Sequence, residues 1–176
     1  MLVVSDATPL NILVRIDHVD ILARLFRLVV IPTAVAEELS RAATPPVVRE
    51  WLAGHPSWLE IRAPSVKDDP TLPRHRGERE AIRLALELRA DLLLVDERRP
   101  RQLARSLGIA VIRTVGILER AAVSGLIDLS SAFAKLKLTD FHVSQELLDG
   151  AMRRQEERMA KARTERGEAG SPNRDG

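Results

Sequence analysis

The chain contains no cysteine. Disulfides, cysteine-ligated zinc and thiol nucleophiles are therefore excluded outright. Aromatic residues are almost as scarce: Phe26, Trp51, Trp58, Phe133 and Phe141 are all that the 176 residues hold. That is too little for a platform on which successive bases stack, so single-strand binding by stacking alone is disfavoured. The histidines His18, His55, His75 and His142 show no ligand spacing, which argues against zinc or nickel. No apolar run approaches the ~20 residues needed to cross a bilayer. The opening "MLVVSD" has neither a basic start nor an apolar block long enough for a secretory signal, so a cytoplasmic protein with no membrane partner is expected. There is no GxxxxGK loop ending in Ser or Thr and no GxGxxG after an apolar run, which removes the common nucleotide-binding fingerprints.

What is present describes an ordinary globular domain: 45% hydrophobic and 30% charged residues, in a chain long enough to bury a core. Net charge is only +2, yet the cations are mostly arginine and they cluster, as in "RHRGERE" (74–80) and "DERRPRQLAR" (96–105). A guanidinium suits phosphate because its planar fork donates two parallel hydrogen bonds. Solvated helix faces account equally well for any one of these clusters.

Short apolar runs rich in β-branched residues recur: "LVVS" (2–5), "RLVVI" (27–31), "WLEI" (58–61), "DLLLV" (91–95) and "IAVI" (109–112). Most are apolar throughout, as strands covered on both faces are. Segments of helical periodicity lie between them, which predicts an α/β sandwich with a parallel sheet. The stretch "APSVKDDPTLPRHRG" (63–77) reads as a long surface loop. A single domain is expected over residues 1–155, with a charged tail that loses its structure over 156–176.

In an open parallel sheet, ligands bind beyond the carboxyl ends of the strands. Asp6 closes the first run, and Asp96 the fourth, with Glu97 beside it. Taken alone, Asp6 could equally be the cap of the next helix. Two further acids are selected on predicted helices. In "IPTAVAEELS", Val35 and Leu39 mark the buried stripe; Glu38 flanks it, while Glu37 points about 160–200° away. In "GEREAIRLALEL", Ala81, Ile82, Ala85, Leu86 and Leu88 build the apolar face. Glu78 lies within roughly 40° of its centre and Glu80 more than about 100° away. A role for Glu78 in complementing the helix dipole stays open. Asp6, Glu38, Glu78 and Asp96, with Glu97 in reserve, form an oxygen-only donor set that suits Mg²⁺ or Mn²⁺. Such carboxylates beside arginines point to phosphodiester hydrolysis.

The segments "VSDATPL" (4–10), "IPTAVAEEL" (31–39), "GEREAIRLA" (77–85), "LLLVDERRPRQLA" (92–104), "TVGILERAAVSGLI" (114–127) and "DFHVSQELLDGAMRR" (140–154) together resemble the PIN-domain (PilT N-terminus) ribonucleases. Within them they are similar to the VapC-like toxin branch, which opens on a Ser-Asp-Thr-Ser-Pro-Leu-type motif. The resemblance implies a three-layer α/β/α sandwich with sheet order 3-2-1-4-5. It implies a Mg²⁺ or Mn²⁺ site with Asp6, Glu38, Glu78 and Asp96 as catalytic and metal-binding acids, and Glu97 as a further ligand. It places Thr8 at the hydroxyl position near the first acid and Arg101 at the basic position after the fourth strand, with Asn11 as a further substrate-binding candidate. Arg98, Arg99 and Arg101, which follow Asp96 directly, are expected to contact substrate phosphate or an acidic segment of the antitoxin. It further implies an endoribonuclease held silent by a small antitoxin protein, and a homodimer. The chain departs from the pattern at Ala7, where a hydroxyl is usual, at Glu97, where Asp is common, and at Asn11, one place early. These departures motivate a second expectation, a catalytically weak RNA- or protein-binding module on the same scaffold.

Overall fold

The computed structural model describes residues 1–54, 56–65 and 75–169. Its elements run β1 (Leu2–Ser5), α1 (Ala7–Arg15), α2 (Ile21–Leu25), β2 (Leu28–Pro32), α3 (Thr33–Leu39), α4 (Pro46–Ala53) and β3 (Leu59–Arg62). They continue as α5 (Arg76–Glu87), β4 (Leu92–Leu94), α6 (Arg98–Ser106), β5 (Val111–Ile112), α7 (Thr114–Val123), α8 (Leu129–Lys137) and α9 (Gln145–Ala169). Each apolar run of the sequence becomes a strand, and the strands form a five-stranded sheet of order β3-β2-β1-β4-β5, parallel at every pairing.

Alternation of side chains across the sheet divides the core in two. Val3, Val29, Ile31 and Leu94 face one way, onto Leu10 and Leu13 of α1 and Ile117 and Leu118 of α7. Val4, Val30, Leu93 and Val95 face the other, onto Ala81, Ile82 and Ala85 of α5 and Ala104 of α6. Strands covered on both faces need apolar residues at consecutive positions, which is why these runs do not alternate with polar residues. Each such aliphatic side chain contributes about 1.5–3 kcal/mol on full burial. The result is the expected three-layer α/β/α sandwich.

The periodicity misplaces one residue of α5: Leu86, assigned to the apolar face, is exposed. It sits in the last turn of α5 at the edge of that face, while Leu84 and Ala85 beside it are buried and Leu88 packs against the core. The terminal helix α9 passes through position 156, where the charged tail was expected to begin, and continues to Ala169. Positions 66–74 of the expected surface loop and 170–176 of the expected tail lie outside the described residues. No helix among the described residues is long and apolar enough to cross a membrane.

The topology fixes where a site can form. The chain winds outward from β1 through β2 to β3, then returns to β1's other side for β4 and β5. This reversal leaves a crevice beyond the carboxyl ends of β1 and β4. Ser5 pairs with Leu94, and the Asp6 N–H donates to the Leu94 carbonyl at 3.0 Å, so Asp6 and the Asp96–Glu97 pair leave adjacent strand ends together.

Candidate active site

Asp6 occupies the N-cap position of α1 with extended backbone, but its side chain makes no capping bond to the helix. The cap reading of this residue therefore does not hold. The residue is only 4% exposed, and among the described residues no cation acts on its carboxyl. Burial first, then the charge of Glu97, pushes it up to about 8; the Ala7 N–H pulls it down, and Glu78 and Glu38 add to the rise. A buried acid surrounded by other acids holds its proton because nothing positive stabilises the charged form.

Glu38 reaches the site from α3, whose Val35 and Leu39 are buried as the stripe required. Gly77, in the first turn of α5, shows how closely the acids approach. A Cβ there would lie 3.0 Å from Glu38 Oε2 and 3.6 Å from Asp6 Oδ1. Glu78 follows on the same turn, and burial first, then the charges of Glu97 and Glu38, raise its carboxyl, against a lowering by His75. Gly77→Ala should leave thermal stability within about 1 kcal/mol, since the flexible end of Glu38 can move and alanine favours the helix. The displaced carboxylate should weaken Mn²⁺ binding by about tenfold, comparable to loss of a group that orients a ligand. Calorimetric titration beside a thermal melt checks this, and unchanged affinity would contradict the placement.

The acids set aside on angular grounds are also accounted for. Glu37 pairs with Arg76 at 2.5 Å on the surface. Glu80, which the wheel turned away from the apolar face, is not a solvent residue: it accepts from the Ala34 N–H at 3.1 Å and from Arg76 at 2.8 Å. It ties the start of α3 to α5, a cross-helix role that single-helix periodicity cannot reveal.

Beyond β4 the two neighbouring acids take different parts. Asp96 accepts from the Thr114 N–H at 3.0 Å through Oδ1 and from the Thr114 hydroxyl at 2.5 Å through Oδ2. Both oxygens are thus spent on the first residue of α7. Burial raises this carboxyl, and the two Thr114 bonds act against the rise. Glu97 instead receives the Thr8 hydroxyl on Oε1 at 2.8 Å, while its Oε2 is buried with no hydrogen-bond partner. Thr8, expected on substrate, positions Glu97 here. Of the expected basic residues, Arg98 and Arg99 are exposed, and Arg101 donates to the Asp96 carbonyl oxygen at 2.5 Å.

A cavity of about 440 Å³ opens beside these groups, lined among others by Thr8, Asn11, Glu38, Asp96, Glu97 and Arg113. Asn11 faces it with a buried Oδ1 that has no partner. Its far wall is the segment Asp140, Phe141 and His142, held by a 2.5 Å ion pair between Arg15 and Asp140. Arg113 and this wall were not singled out from the sequence as site residues. Arg113 could have been found by asking which basic residues, as well as acids, follow a strand. The wall could not, because it depends on how the C-terminal helices fold back.

Among the described residues, no three His, Asp or Glu side chains stand close enough together to hold an ion. Like charges with nothing positive between them keep apart. The donors nevertheless fit a hard divalent cation. They are all oxygen, the Glu97 Oε2 lacks a partner, and burial first, then the neighbouring acids, hold the Asp6 carboxyl up at about 8, a rise that a bound cation would offset.

A family model described as PIN domain matches residues 2–157. Among solved structures the chain is similar to a PilT N-terminus domain protein of the hyperthermophilic archaeon Sulfolobus solfataricus, at 19% identity and a TM-score of 0.42, over 82% of this chain and 100% of that one. No curated protein matches it. PIN domains are typically nucleases and generally use divalent metals. Because the family match runs from the first strand into the last helix, and so takes in every acid of the site, the chain belongs to the PIN-domain family.

Proposed function

We propose that the chain is an endoribonuclease dependent on Mg²⁺ or Mn²⁺, and the toxin of a toxin–antitoxin pair in the VapC-like branch of its family. The observation that carries the nuclease reading is Asp6: a buried carboxyl at the sheet's carboxyl edge, driven up to about 8 by burial and by three neighbouring acids. Such crowding destabilises the fold unless a cation offsets it. Asp6, Glu38, Glu78 and Glu97 would hold that ion. When bound there, it supplies an activated water and offsets charge on the phosphorus.

The remaining chemistry belongs to the chain. Asp6 must release its proton as the ion enters, so metal and proton compete for one carboxylate. Thr8 keeps Glu97 turned toward the site through its 2.8 Å bond. Asp96, bonded to Thr114, sets the start of α7 against the end of β4. Arg98 and Arg101 would meet the substrate's phosphates, and Asn11 would offer an acceptor to a sugar or base. The toxin role, the antitoxin partner and a homodimer rest on the motif resemblance alone.

A second reading, a binding module with weak or no catalysis, is favoured by Ala7 and Glu97, where the chain departs from the motif. One experiment separates the two: incubation of structured RNA with the purified chain and Mn²⁺, beside a chelator control, with calorimetric titration of Mn²⁺. Metal-dependent cleavage supports the nuclease. RNA binding with no Mn²⁺ uptake near neutral pH, on a folded chain, supports the module.

A further inference from the structure

Two arginines leave the sheet's carboxyl edge together, and among the described residues neither is in an ion pair, although the charge of Asp96 reaches both. Strands β4 and β5 pair in parallel through Leu94 and Ile112, so Arg113 emerges beside the Asp96–Glu97 step. Arg113 is half-buried and lines the cavity, and its Nε is buried with no hydrogen-bond partner. Asp96 is near enough to feel its charge, but both Asp96 oxygens are held by Thr114. Arg101, also half-buried, donates to the Asp96 carbonyl and feels the charge of the Asp96 carboxyl.

The two guanidiniums are near enough to feel each other's charge. Desolvated like charges placed side by side are costly unless an anion joins them. A planar fork with unused donors is matched by phosphate oxygens. The adjoining acids would repel a bare anion, so the natural occupant is one whose neighbouring group is drawn to the metal site, as the next unit of a polyphosphodiester would be. We propose that Arg113, with Arg101, forms a subsite that seats one backbone phosphate of the nucleic-acid strand beside the phosphate that is cut. This rests on the nuclease reading for its substrate, but its test does not need cleavage.

The test uses the full chain carrying Asp6→Asn, in excess Mn²⁺, with a fluorescent single-stranded RNA oligonucleotide followed by anisotropy over a range of salt. Adding Arg113→Gln should weaken binding about tenfold and lower the slope of log affinity against log salt by about 0.7, one phosphate contact on a single strand. Arg113→Lys should keep the slope. The melting temperature of Arg113→Gln should stay close to its parent's, because the repulsion of Arg101 and the attraction of Asp96 are lost together. Unchanged affinity and slope, absence of binding by the Asp6→Asn parent, or a fall in melting temperature that accounts for the loss would overturn the proposal. Cleavage by the unmodified chain with Mn²⁺ is read separately. Cleavage with Arg113-independent binding removes this subsite alone, and Arg113-dependent binding without cleavage removes the nuclease reading alone.

Discussion

Asp6→Asn should abolish RNA cleavage, by roughly a hundredfold or more, while making the metal-free protein more stable at pH 8. The two effects have one cause. The Asp6 carboxyl is pushed from 3.8 in the free residue to about 8 in the fold, by burial first and then by Glu97. A group whose folded pKa is raised binds a proton on folding, so its contribution to stability is fully present below about pH 4 and is lost as pH rises through 8. At about 1.4 kcal/mol per pKa unit, the loss is on the order of several kcal/mol. Asparagine occupies the same space without a charge, so its melting curve should be flatter from pH 4 to 8 and lie above the parent's at pH 8. Mn²⁺ should reverse the order at pH 8 by stabilising the parent, with a smaller effect at pH 5 where the proton competes. Thermal melts of both proteins, with and without Mn²⁺, check all of this. A parent that melts identically to Asp6→Asn at every pH would refute the charge frustration on which the nuclease reading stands.

The sheet was legible in the sequence because burial on both faces leaves so plain a mark: uninterrupted apolar runs at β1, β2 and β4, each followed by a turn. The acids at strand ends were legible for a related reason, since the carboxyl edge of a parallel sheet is set by topology and any residue after a strand lies there. Glu38 was separated from Glu37 correctly because α3 has one buried stripe and one neighbouring layer. Periodicity failed where a side chain serves two elements at once. Glu80 looked solvent-facing on α5, yet it binds the Ala34 N–H of α3. Thr8 and Glu97, 89 residues apart, meet only because β1 and β4 are neighbours. Arg113 carries no comparable mark: one basic residue after a strand has neither periodicity nor a paired partner to assign it to the site.

The sharpest consequence concerns the adjacent acids after β4, which sequence alone ranked with Asp96 first. Asp96→Ala should lower stability by about 2–4 kcal/mol, because it strips two hydrogen bonds to a charged acceptor and leaves the N–H and hydroxyl of Thr114 unpaired. Thr114 is wholly buried, so water cannot replace them. Glu97→Gln should behave in the opposite way. The glutamine carbonyl can still accept from Thr8, and loss of the charge removes the largest electrostatic push on Asp6. The Asp6 carboxyl should then titrate lower, and the metal-free protein should melt at the same temperature or higher near neutral pH. Mn²⁺ affinity should nevertheless fall by about tenfold or more, because the orphaned Oε2 becomes an amide nitrogen, which does not ligate a hard cation, and the carboxylate charge is lost. Denaturant unfolding and Mn²⁺ calorimetry on both variants distinguish the roles. If Asp96→Ala loses metal while keeping its stability, and Glu97→Gln keeps both, then the fourth acid of the site is Asp96, and the Thr114 bonds must open before the ion can bind.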